Sequence, residues 1–204
     1  MIAIVDYGLG NVKAFANVYS RLNIPYLIAK VPEDLKKSAK IILPGVGSYD
    51  FAMNMLKKSG MREQLDEQVL VKKKPVLGVC VGMQMLAVAS EEGEEKGLGW
   101  IDGEVNKFVL PSEDTKMRIP HMGWNGIKTV KKNLLLQELN GESMFYFLHS
   151  YYFKCHQQEH IIAESEYEGV FTSAVAADNV FGVQFHPEKS HSWGSRLLEN
   201  FAKL

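Results

Sequence analysis

The chain has almost no cysteine: Cys80 and Cys155 are the only two in 204 residues. Two thiols make no disulfide framework. That excludes the small stapled folds of secreted proteins and points to a reduced, cytoplasmic setting. An excess of either charge is also missing. With 23 basic and 24 acidic residues the formal net charge is −1, so the basic footprint of a nucleic-acid binder is absent. No apolar run approaches the ~18 residues of a membrane span. The first stretch, Met1-Ile-Ala-Ile-Val-Asp6, has no basic start and no cleavage site, and Asp6 interrupts it. It reads as a strand, not a signal peptide. There is no internal repeat and no low-complexity segment.

What is there is ordinary globular material, 46% hydrophobic and 23% charged, enough for one sizeable core and one domain over 1–204. The first half alternates. Strands are expected over 2–7, 26–29, 40–43 and 76–79, and helices over 12–22, 51–56, 61–71 and 83–89. That order predicts an α/β fold, a largely parallel sheet with helices on both faces. The second half runs strand after strand, over 104–109, 124–130, 143–148, 151–155, 161–167, 172–177 and 180–185. An antiparallel portion is therefore expected beside the parallel sheet. A helix over 192–204 closes the chain, with Ser192 as its N-cap. The charge runs at 72–74 and 91–96 read as solvated loops.

One cysteine has an informative setting. Gly78-Val79-Cys80-Val81-Gly82 follows a buried apolar run and opens a helix. Strand, Gly-x-nucleophile-x-Gly, helix is the form of a nucleophile elbow, whose flanking positions must be small because strand and helix nearly touch. The sulfur then stands above the sheet at a helix start, where partial positive charge stabilises negative charge. The Val81 N–H points into the same space and can stabilise an oxyanion. Such a nucleophile needs a base, and the base an orienting partner. His186 is the candidate base: it ends the 180–185 strand, where α/β folds place their sites. Pro187 stiffens the next step, so that Glu188 can hold the second ring N–H and fix the tautomer.

Taken together, Gly78-x-Cys80-x-Gly82-x-Gln84 and His186-Pro187-Glu188, a little over a hundred residues apart, resemble the class I triad glutamine amidotransferases. The likeness covers essentially the whole chain and implies that family's three-layer fold. It implies that Cys80 attacks the side-chain amide carbon of L-glutamine, that His186 protonates the departing ammonia and then activates water, and that Glu188 orients His186. Pro44-Gly45-Val46-Gly47 resembles the family's oxyanion strand. Either Val46 or Gly47 would give the second oxyanion donor, beside Val81. Gln84, on the first helical turn, can face the pocket, and Gly47, Ser150 and Tyr151 supply glutamine contacts by resemblance. No cofactor is implied.

Asp6-Tyr7-Gly8-Leu9-Gly10-Asn11, Pro120-His121-Met122-Gly123-Trp124-Asn125 and Phe147-Leu148-His149-Ser150-Tyr151-Tyr152 are similar to blocks of one subfamily, the glutaminase subunits of imidazole glycerol phosphate synthases. That implies a heterodimer with a (β/α)8 cyclase subunit, ammonia passing between the two, and a place in histidine biosynthesis. Asn11, Met122, Trp124 and Lys189 are the expected partner contacts. Alternation across 124–130 sends Trp124 outward and Ile127 inward. The first competing reading is another triad amidotransferase or a free-standing thiol hydrolase of similar fold, and the second a non-catalytic interaction subunit that keeps the fold only. The Pro120–Asn125 block speaks against the first and the intact Cys80, His186 and Glu188 against the second. His149, Cys155, His156 and His160 fit no closed zinc spacing, so no metal site is expected.

Overall fold

The computed structural model describes residues 1–109 and 118–204. The first half forms β1 (Ile2–Val5), α1 (Val12–Arg21), β2 (Tyr26–Ala29), α2 (Pro32–Lys36), β3 (Lys40–Gly45), α3 (Tyr49–Lys58), α4 (Arg62–Asp66), β4 (Val76–Cys80) and α5 (Val81–Gln84). The second half forms β5 (Ala89–Ser90), β6 (Gly103–Lys107), β7 (His121–Gly126), β8 (Lys128–Thr129), β9 (Met144–His149), β10 (Tyr151–Cys155), β11 (Ile161–Glu166), β12 (Val170–Ala177), β13 (Val180–Val183) and α6 (His191–Lys203). Among the described residues no helix is long and apolar enough to cross a membrane.

The main sheet runs β2-β1-β3-β4-β13-β12-β10-β6-β5, with β11 on β12 and β8 on β11. Strands β2, β1, β3, β4 and β13 are parallel, and β12, β10 and β6 continue antiparallel. Strands β7 and β9 form a separate antiparallel pair. This is the α/β architecture with an antiparallel portion that the element order predicts. Every residue of β4 is buried, as expected of a strand covered on both faces. Helix α1 buries Val12, Phe15, Ala16, Val18 and Tyr19, a single face at helical spacing. The carboxyl ends of β1, β3, β4 and β13 lie side by side, which gathers 6–11, 45–48, 80–84 and 184–190 at one edge.

Four local expectations are corrected. The helix after Cys80 stops at Gln84. The carbonyls of Met85, Leu86, Ala87 and Val88 are taken by the N–H groups of 97–101, so no further turn can propagate. The stretch 124–130 is two strands in different sheets; the Gly126 carbonyl accepts from Ser165 Oγ at 2.8 Å as the chain crosses over. Helix α6 starts at His191, not after Ser192. The Ser190 hydroxyl donates to the His186 carbonyl at 2.6 Å and accepts from the Tyr146 N–H, tying the helix start to the His-Pro-Glu turn. The run 91–96 is not a free loop: Glu91 accepts from Lys107 N, Glu92 from Tyr49 N, and the Asp50 carboxylate from Glu94 N and Glu95 N.

Candidate active site

Cys80 ends β4 with φ +56° and ψ −115°, a conformation costing a non-glycine residue about 1–3 kcal/mol. The neighbouring glycines are steric necessities. A Cβ on Gly78 would lie 2.5 Å from the Gly82 carbonyl oxygen, and one on Gly82 would lie 2.0 Å from the Leu43 carbonyl oxygen. The turn therefore holds the sulfur at the strand end, beside the N–H groups that open α5. Because α5 is a single turn, the positive end consists of those local N–H groups and not of a long helix dipole.

Behind the sulfur stands His186. Its ring is almost fully buried, and Nδ1 donates to Glu188 Oε1 at 2.9 Å. Burial alone would lower this imidazole. Hydrogen bonds and charge from Cys80 and Glu188 outweigh it and raise the ring to about 10. The Glu188 side chain is 1% exposed, and Oε1 also accepts from Asn11 Nδ2 at 2.8 Å. Asn11, expected as a partner contact, thus gives its amide to the carboxylate behind His186. The His186 N–H donates to the Tyr146 carbonyl at 2.8 Å, tying the turn to β9.

The opposite wall is the end of β3. A Cβ on Gly45 would lie 2.3 Å from the Gly82 nitrogen, so β3 and α5 are in backbone contact. The Tyr7 hydroxyl donates to the Pro44 carbonyl at 2.8 Å. Burial, then the charge of Cys80, pushes that phenol well above its ordinary value. Gly47 has φ +86°, which favours glycine.

Between these walls lies a cavity of about 320 Å³ lined by Val46, Gly47, Cys80, Val81, Gln84, Ser150, Tyr151 and His186, with Lys189 at its edge. These are the residues the sequence pattern singles out. Glu188 stands outside the lining, behind His186. Gln84 Nε2 donates to the Tyr151 carbonyl and to Gln184 Oε1, both at 3.1 Å. Glu92 also lines the cavity, and sequence reasoning missed it inside a charge run. Its carboxyl is pushed up by burial, opposed by the Tyr49 N–H and reinforced by Asp50. His149 lines the cavity too; sequence reasoning placed it in a subfamily block and weighed it as a metal ligand, but gave it no role in the site.

Met122 and Trp124 lie on the outer face of β7, 65% and 47% exposed. They pair across the strand with Leu148 and Tyr146, which makes an open apolar patch beside the cavity mouth. Trp124 stacks on His191 with ring centroids 5.2 Å apart, and Lys189 Nζ sits 5.6 Å above the Tyr146 ring. Trp124 is outward and Ile127 buried, as expected, although Ile127 lies between β7 and β8 and not on one continuous strand with Trp124.

Comparison with known proteins agrees with this geometry. The family described as "Glutamine amidotransferase class-I" matches residues 3–204. The imidazole glycerol phosphate synthase subunit HisH of Leptospira interrogans is 52% identical over 204 residues, covering all of both chains. That of Bdellovibrio bacteriovorus is 51% identical over the same span. Among solved structures, a crystal structure of a glutamine amidotransferase superposes with a TM-score of 0.75 at 17% identity, covering 100% of this chain and 99% of that one. PurLQS from Thermotoga maritima gives 0.72 at 16%, covering 99% and 97%. At such identities these two attest the fold alone. This chain belongs to the class-I glutamine amidotransferase family, and within it to the group of HisH subunits of imidazole glycerol phosphate synthase.

Proposed function

We propose that this chain is the glutaminase subunit of an imidazole glycerol phosphate synthase, hydrolysing glutamine at Cys80 and passing ammonia to a cyclase partner in histidine biosynthesis. The carrying observation is the Cys80–His186–Glu188 array at adjacent strand ends, with Cys80 and His186 facing a cavity that Glu92 also lines. The Cys80 sulfur attacks the side-chain amide carbon. The Val81 N–H and one donor from Val46 or Gly47 hold the resulting oxyanion. Protonated His186 gives its proton to the amine as the C–N bond breaks, and ammonia leaves a thioester on Cys80. Thioester formation consumes the Cys80 charge that holds the ring's proton, so neutral His186 next takes a proton from water, which attacks the thioester. Glutamate departs and Cys80 is restored. Glu188 keeps Nδ1 protonated in both halves.

Substrate orientation follows from charge. Glu92 faces the α-ammonium of glutamine, while Gly47, Gln84 and the Ser150–Tyr151 backbone hold the rest. Ammonia leaves on the Lys189 side. The Met122–Trp124 face of β7, Lys189 and the loop bearing Asn11 meet a (β/α)8 cyclase subunit, forming a heterodimer in the reducing cytoplasm. The test is a glutaminase assay of the purified chain, alone and with the cyclase subunit and its nucleotide. Glutamate release that rises on adding both supports the reading. A complex that makes no glutamate overturns it.

A further inference from the structure

The reaction as proposed uses neither His121 nor His149. These rings are 4% and 6% exposed and stand directly opposite each other in the β7–β9 register. Their hydrogen bonds have one consistent direction. The Tyr151 carbonyl can only accept, so the His149 Nδ1 atom 2.8 Å from it carries the proton. In a neutral ring Nε2 is then an acceptor, so His121 Nδ1, 3.0 Å away, donates to it. His121 Nε2 is left to accept from Asn125 Nδ2 at 3.3 Å. Both rings are neutral near pH 7. Burial lowers His121 to about 4. Burial, against the Tyr151 hydrogen bond and with the charges of His121 and His186, lowers His149 to about 3.

Each end of this chain is anchored. Asn125 Nδ2 also donates to the Glu166 carbonyl at 2.9 Å, and Asn125 Oδ1 accepts from Gly126 N at 2.8 Å. At the far end the Tyr151 carbonyl accepts from Gln84 as well. The His121 ring is sandwiched between Tyr167 and Phe147, at centroid distances of 4.0 and 4.9 Å, so it cannot turn over without breaking both stacks. A tautomer reversal in His149 would set a lone pair against the Tyr151 oxygen, and one in His121 would set its bare Nδ1 against the bare His149 Nε2. An aromatic hydrocarbon would fill the same space without this directional demand.

We infer that His121 and His149 are positioning residues, a one-way relay from Asn125 through two neutral imidazoles that fixes the Tyr151 carbonyl and the Gln84 side of the pocket. The relay starts on the inner face of the strand whose outer face carries Met122 and Trp124, so it anchors the pocket to the strand proposed to dock the partner. It rests on the glutaminase reading above.

The experiment uses three variants in complex with the cyclase subunit and its nucleotide. His121→Phe keeps the ring stack and removes the donor. Its glutamine KM rises about tenfold while kcat changes less than threefold, and the Gln84 side-chain amide resonances of the free chain move. His149→Phe gives the same pattern, and the double variant is no worse than either single one, because one chain is cut twice. His121→Asn, which leaves an amide N–H where Nδ1 stood, keeps KM within about threefold of wild type and carries the test if His121→Phe does not fold. Nitrogen-15 spectra of the wild-type chain show protonated Nδ1 and bare Nε2 on both rings from pH 5 to 8. A protonated Nε2 on either ring overturns the relay, as do additive single effects, wild-type KM with unmoved Gln84 resonances in His121→Phe, or a His121→Asn KM as poor as that of His121→Phe. A wild-type complex without glutaminase activity removes the enzyme reading, whereas the ring spectra and Gln84 resonances of the chain alone still decide the relay.

Discussion

Glu188→Gln isolates the charge behind His186 while keeping the side chain's shape. Glu188 is 1% exposed and touches the ring through one oxygen, which it shares with Asn11. Its other oxygen, Oε2, has no hydrogen-bond partner among the described residues. In the variant the amide oxygen still accepts from His186 Nδ1, and the amide nitrogen occupies the unpartnered place. That buried, unsatisfied donor costs about 1–3 kcal/mol at every pH. The lost charge has a separate, pH-dependent effect. An opposite charge at hydrogen-bond distance moves a titration by about 1–3 pH units, so the His186 midpoint falls from about 10 by that much.

The sign is fixed by linkage. A ring raised in the folded state stabilises it fully below its free value of 6.5, and that contribution disappears as pH rises through about 10. Removing one source of the raised value therefore costs roughly 1.4–4 kcal/mol near pH 6 and nothing above pH 10. Thermal melts at pH 6 and pH 10 read both parts: the variant melts lower at each, with the larger deficit at pH 6. Glutaminase kcat at pH 7 falls on the order of 10⁴-fold, the loss expected when the group orienting a catalytic imidazole is removed. A variant with kcat within tenfold of wild type, or a melting deficit equal at the two pH values, refutes the role given to Glu188.

Cys80→Ala abolishes glutamine hydrolysis, while ammonia-dependent cyclisation by the complex stays near wild type, because ammonia enters after the lost step; residual hydrolysis near the wild-type rate ends the nucleophile assignment. Gly82→Ala puts a methyl group 2.0 Å from the Leu43 carbonyl oxygen and destabilises by about 3 kcal/mol, a drop in melting temperature of roughly 6–12 °C for a chain of this size; an unchanged melt refutes the close approach. Glu92→Gln raises the glutamine KM about tenfold or more, the worth of one charge-assisted hydrogen bond, and a KM equal to wild type removes Glu92 from ammonium recognition. Trp124→Ala leaves the free chain's melt within a few degrees, because the side chain is 47% exposed, and lowers the activation by the partner's nucleotide; a collapsed melt would make Trp124 a core residue.

How much of this could be read before any fold was known depends on the range of the constraint behind each residue. The elbow at Cys80 was legible because its steric demand falls on Gly78 and Gly82, within two positions of the sulfur. The strands feeding the site were legible because burial on both faces leaves continuous apolar runs. The length of the helix after Cys80 was not, since what stops it is a set of N–H groups from 97–101 taking the carbonyls of 85–88, and no local propensity encodes that. Glu92 was hidden for a similar reason. Within Glu91-Glu92-Gly93-Glu94-Glu95-Lys96 every carboxylate looks alike, and it takes the fold, which seats Glu92 against Tyr49 N from 43 positions away, to put this one on the cavity wall. His121 and His149 stand 28 positions apart, and they meet because β7 and β9 pair residue for residue. Asn11 was named from the sequence for an outward role, yet it reaches Glu188 across 177 positions. Its loop lies on the side of the site where the partner is expected, and its amide holds the carboxylate that orients His186. A displacement of that loop on docking would therefore reach the array in two hydrogen bonds, from Asn11 to Glu188 and from Glu188 to His186, without moving the sheet.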